Sequence, residues 1–205
     1  TGTSEIIATV VLLDKDELNP GDTCFAEMRL EDPVAVLARD RYVLRSYSPV
    51  RAIAGGEILN AYPQKKKRFS ETALSELKAL NSGNLTAITE QFVLASRFDG
   101  VAHSQLPFLT NASRKKLEEI LKTLQAQRKI IQYDKEKGTL IHADYLKKAR
   151  DQILSILDQY HKDFPLKAGL LKEELRSRTA GTGDSKLFNF LITQLGQEGI
   201  VIQEK

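Results

Sequence analysis

The sequence predicts a multidomain chain: an antiparallel β-barrel over residues 1–62, then two tandem winged-helix (α+β) domains over 63–141 and 142–205. Three observations predict it. Residues 1–62 carry β-forming residues in short runs, split by turn residues and without a helical stretch. From residue 71 onward the apolar spacing changes to three or four residues, the period of a half-buried helix. Charge reverses at the same place. Residues 1–62 hold 6 Lys/Arg against 10 Asp/Glu, residues 63–141 hold 14 against 8, and residues 142–205 hold 10 against 9.

Glu5–Leu13 reads as a strand from its Ile, Val and Thr content. Asn19-Pro20-Gly21-Asp22 is a turn, because Pro presets one torsion and Gly supplies a positive φ. Thr23–Leu30 alternates again, and Val34–Leu37 reads as a short edge strand. Arg41–Tyr47 sets Tyr42, Leu44 and Ser46 on one side and Val43, Arg45 and Tyr47 on the other. Ser48-Pro49 interrupts it, apolar character resumes at Val50–Ile53, and Gly55-Gly56 suits a bulge or tight bend. Strands at this spacing imply a closed barrel, which leaves no open edge.

Ala61–Phe69 reads as a linker with the basic run Lys65-Lys66-Lys67-Arg68. Glu71–Leu80 and Leu85–Phe98 read as helices separated by the stop-and-restart signal Asn81-Ser82-Gly83-Asn84. Ser104–Leu109 is one short turn of helix. Ser113 can cap a third full helix, Arg114–Arg128, before a hairpin of Ile130–Tyr133 and Thr139–His142. The outline then repeats. A long helix spans His142–Phe164, a short one Ala168–Arg178, a loop Thr179–Gly183 and a helix Ser185–Gln197 capped by Asp184, with a closing strand from Ile200 to Ile202. LQAQRKIIQ and LGQEGIVIQ both pass from a helix to a β-branched run, so the second unit reads as a winged helix with a truncated or minimal wing.

The stretch RYVLRSYSPVRAIAGGEIL is similar to the end of the third, β-barrel domain of translational GTPases related to elongation factor Tu. Its variant RSYSPV…GG resembles that of the selenocysteine-specific elongation factors (SelB), and the preceding strands fit the same domain in order and spacing. The remainder resembles that family's chain of winged-helix domains by pattern. The resemblance implies a barrel that helps hold selenocysteinyl-tRNA, with winged helices linking the tRNA-bound GTPase body to a distal tip that binds an mRNA hairpin on the ribosome. It also implies GTP and magnesium as cofactors of the whole factor, none of them held by this chain, and a cytoplasmic location. The chain does not open with Met, which suggests a piece cut from a longer protein.

The residues themselves point to binding without catalysis. Neither G-x-x-x-x-G-K-[ST] nor G-x-G-x-x-G occurs, and His103, His142 and His161 lack metal-type spacing. A single cysteine, Cys24, excludes an internal disulfide. Apolar runs are far shorter than a membrane span and no signal peptide is evident, so a soluble monomer is expected. The candidate RNA contacts are Arg39, Arg41, Arg45 and Arg51 in the barrel, Lys65, Lys66, Lys67 and Arg68 in the linker, and Arg114, Lys115 and Lys116 at the third helix. Lys129, Lys135 and Lys137 near the wing are weaker candidates. Clustered cations release several counterions together, which is why such runs bind phosphates. Two other readings fit the same residues: a scaffolding or protein-interaction module, and a winged-helix DNA-binding protein.

Overall fold

The β-branched run Thr9-Val10-Val11 puts Ala8–Leu12 in a strand, β1, which pairs antiparallel with β2, Ala26–Leu30, in the register Val10↔Met28. Both are shorter than their sequence suggests. Beyond Leu12 the Asp14 carboxylate accepts the Phe25 amide at 2.9 Å and replaces a ladder bond. Val34–Leu37, expected as an edge strand, is not one. The Asp40 carboxylate takes the Leu37 amide at 2.9 Å, and Asp40 N–H returns to Leu37 O, so a side-chain-closed turn replaces the extended backbone. The computed structural model describes residues 5–179 and 185–202.

Arg41–Arg45 forms β3 and Ala52–Glu57 forms β4, antiparallel, with a register shift at Leu44/Arg45. Gly55 and Gly56 do not make the bend expected of them; both lie within β4. Gly56 faces Tyr42 in the register, and a Cβ there would sit 2.5 Å from Tyr42 Cζ. The glycine therefore makes room for an aromatic ring, and the bulge falls beyond Leu44↔Ala54, where Ile53 has no partner in the register. Among the described residues, β1–β2 and β3–β4 are separate hydrogen-bonded pairs.

The described residues divide into two compact units. The first takes in these strands, everything up to Gln91, and Leu106–Leu117. It includes α1 (Glu71–Asn81), capped by Ser70, whose hydroxyl accepts from Ala73 N–H. Asn84 Oδ1 accepts from Thr86 and Ala87 N–H and opens α2, Leu85–Ala95. The short α3 is Leu106–Thr110. The Ser113 hydroxyl accepts from Lys116 N–H at the start of α4, Arg114–Ala126. Helices α2 and α4 run from this unit into the second.

The second unit holds Phe92–Gln105 and the chain from Glu118 on. Its sheet has the order β5-β7-β6: β5 is Val101–Ala102, β6 Ile130–Asp134 and β7 Thr139–His142. The two-residue β5 carries no readable period. It follows Gly100, whose φ of +67° and closeness to Leu140 O (2.7 Å from an ideal Cβ) exclude any side chain. His142 ends β7 and its Nδ1 accepts from Asp144 N–H, so it caps α5 (Ala143–Asp163) from outside the helix. Lys172–Arg178 forms α6, later than expected, and Ser185–Gln197 forms α7. Tyr133 and Ile141 of the β6–β7 hairpin are buried in one cluster with Ile153, Phe188, Leu191 and Leu195. Residues 180–184, and with them the expected Asp184 cap and most of the Thr179–Gly183 loop, lie outside the described residues. Ile200–Ile202 is not a strand. Ile200 and Val201 N–H both turn back to Leu195 O, at 3.0 and 3.3 Å, and finish α7 instead.

Candidate nucleic-acid interface

The β3–β4 hairpin presents two faces, as period-2 geometry requires. Tyr42, Leu44 and Ser46 are half-buried, and burial, followed by the neighbouring Cys24, pushes the Tyr42 phenol pKa up. The outer face holds Arg41, Val43, Arg45 and Tyr47, with Tyr47 87% exposed. Ser46 N–H bonds Arg51 O at 2.9 Å and Arg51 N–H reaches Ser46 Oγ at 3.2 Å, so Arg45 and Arg51 meet at the same end of the hairpin. Val50 and Ile53 near this end are also exposed, at 68% and 66%. Arg45 pairs with Glu5 at 3.2 Å, but both side chains are more than half exposed, and such a pair is worth about 0–1 kcal/mol. It leaves Arg45 free to exchange partners. Arg41 and Arg45 alternate with Val43 and Tyr47, and with the exposed Arg51 at the end of the hairpin they form a surface suited to a phosphate backbone and a stacked sugar or base.

Arg39 does not belong to that face. Its φ is +73°, and its guanidinium donates to the Glu57 carboxylate and, at 3.2 Å, to Leu80 O at the end of α1. The basic run divides in the same way. Lys66 Nζ lies 2.7 Å from Glu76, with side chains only 15% and 20% exposed. Arg68 donates to Leu12 O, Lys15 O and Asp16. Lys65 and Lys67 face solvent. At α4, Arg114, Lys115 and Lys116 are exposed on the first turn, with no acidic residue among them. There the amide ends of the helix add positive potential.

The wing lysines Lys129, Lys135 and Lys137 are exposed, whereas the acidic residues of that turn meet a lysine of another helix. Lys186 Nζ of α7 sits 3.0 Å from Asp134 and 2.6 Å from Glu136. Burial opposes ionisation of Asp134, yet the Lys186 ammonium and the amides of Lys137 and Glu136 outweigh it and hold its carboxyl below the ordinary range. The same contacts, Glu136 first, raise Lys186. This turn therefore serves as an intramolecular clamp. Among the described residues no group of three His, Cys, Asp or Glu could hold a metal ion, and no helix is long and apolar enough to cross a membrane. Sequence reasoning passed over Val43, Tyr47, Val50 and Ile53 as contact residues. The alternation of Tyr42–Tyr47 was the signal that could have found the first two.

Comparison with known proteins defines the class. Residues 1–65 match the model described as the β-barrel domain of selenocysteine-specific elongation factor, and residues 154–205 match the second winged helix of elongation factor SelB. The chain thus carries a β-barrel domain and a winged helix of the kinds found in selenocysteine-specific elongation factors. A selenocysteine-specific elongation factor from Desulfomicrobium baculatum is 32% identical over 99% of this chain, and one from Haemophilus influenzae is 22% identical over the whole of this chain. The chain belongs to the selenocysteine-specific elongation factor family, and it spans about a third (32%) of the length of these curated relatives.

Proposed function

We propose that this chain is the tRNA-side barrel and proximal winged-helix part of a factor that delivers selenocysteinyl-tRNA to a recoded UGA codon on the ribosome. The outer face of the β3–β4 hairpin rests on the backbone of the tRNA. The helical domains join that body to a distal tip that grips an mRNA hairpin. GTP and magnesium belong to a GTPase domain of the whole factor, which works in the cytoplasm, and the chain itself performs no chemistry.

The observation that carries this reading is the exposed set Arg41, Arg45 and Tyr47 on the outer side of β3, with the exposed Arg51 at the Arg45 end of the hairpin. The first 62 residues bear a net negative charge, so contact there is local and does not extend to a broad basic footprint. Salt titrations of binding to selenocysteine tRNA, to an mRNA hairpin and to duplex DNA test it. The expected result is weak, salt-sensitive binding with tRNA ahead of DNA. Equal affinity for all three would reject a specific tRNA role for the chain, and tight duplex binding would favour a DNA regulator.

A further inference from the structure

We propose that residues 61–70 are a rigid splint, and that Lys66 and Arg68 are its structural cations. By composition this stretch, AYPQKKKRFS, is a charged linker, expected to repel itself and extend freely into solvent. Its contacts say otherwise. Phe69 N–H bonds Leu13 O at 2.8 Å, carrying the end of β1 into the residue before the α1 cap. Arg68 Nε donates to Leu12 O at 2.9 Å, and Nη2 reaches Lys15 O at 3.0 Å and Asp16 at 2.9 Å. Its guanidinium also lies over the Phe69 ring, 4.9 Å from the centroid. One arginine thus satisfies two backbone carbonyls where β1 has run out of partners. Lys66 works toward the other side. Its N–H bonds Glu27 of β2 at 3.1 Å and its ammonium pairs with Glu76 of α1.

Two further stitches hold the turn before β3, one to α1 and one to the residue after α3. Arg39 ties the turn before β3 to the last carbonyls of α1 through Leu80 O. Asn111 Nδ2 donates to Ala38 O at 3.0 Å, and Ala38 is only 5% exposed. Each bond alone is modest, because folding exchanges it for a bond to water. They act in parallel across one joint, so bending there requires several to break together. The strands and α1 consequently move as one body, and the flexibility that the composition suggests is absent.

The basic run supplies its own probe, since trypsin cleaves after Lys and Arg. In the full chain the expected result is resistance at 65–68 under conditions that cut an unstructured basic segment. Lys66→Ala with Arg68→Ala should speed cleavage after Lys65 and Lys67 by about tenfold or more, as local opening becomes easier. Lys65→Ala with Lys67→Ala should leave Lys66 and Arg68 as resistant as before. Immediate cleavage of the unaltered chain, or no acceleration in the Lys66/Arg68 variant, overturns the splint. Should that variant fail to fold, amide exchange in the unaltered chain decides. Phe69 N–H protected like Leu13 N–H supports the splint, and exchange at the unstructured rate refutes it.

Discussion

Gly56 and Asp134 show how single residues take on roles that their types do not announce. A methyl group at Gly56 would enter the Tyr42 ring, which cannot retreat without giving up its half-buried place. Gly56→Ala should therefore lower stability by about 1–3 kcal/mol, the cost of overpacking, read as a fall in Tm. Tyr42→Ala in the same background should lessen the penalty contributed by the alanine. Asp134 makes a pH prediction. Its pKa is lowered on folding from 3.8, so its contribution is complete above that value and fades as pH falls through the folded pKa. Lys186 is raised from 10.5, so its contribution is complete below that value and fades as pH climbs beyond it. Tm should be level with respect to this clamp between those limits. Asp134→Asn should lower the plateau, and its deficit should shrink in acid below pH 3.8.

At the level of elements, the β6–β7 hairpin bears on two neighbours at once. Tyr133 and Ile141 share a core with Phe188 and Leu191 of α7, all under 8% exposed. Phe188→Ala should cost about 3–5 kcal/mol in urea unfolding, because it opens a cavity in that shared cluster. The helices were largely legible from sequence, since period and capping residues agree: Ser70, Asn84 and Ser113 each accept from the first turn they precede. The hairpin faces of Tyr42–Tyr47 were legible for the same reason. What failed to show were events decided by one side chain at a distance. Asp14 and Asp40 divert amides from strands that Val and Leu would otherwise form. Ile200 and Val201 look β-branched but return to Leu195 O. Of the eleven cations singled out, Arg39, Lys66 and Arg68 are tied inside the first unit, and only coordinates could separate them from their neighbours.

For the whole chain, net charge of +3 hides an acidic head and a basic middle, so RNA affinity should depend on a few local contacts. Arg45→Ala with Arg51→Ala should weaken tRNA binding and flatten its salt dependence, because each lost phosphate contact removes about one released counterion. Tyr47→Ala should weaken binding with little change in slope, as befits stacking. An unchanged affinity in both variants would remove the hairpin face from the interface. The carbonyls of Leu12, Leu13 and Lys15 are completed by Arg68 and Phe69, residues that fall beyond the last strand of the head. A head excised at residue 62 would expose those oxygens to water and strand Glu27 without its Lys66 amide. Swapping heads among such factors, in the laboratory or by recombination, would succeed only when the seam is cut after α1 and the graft carries its own fastening with it.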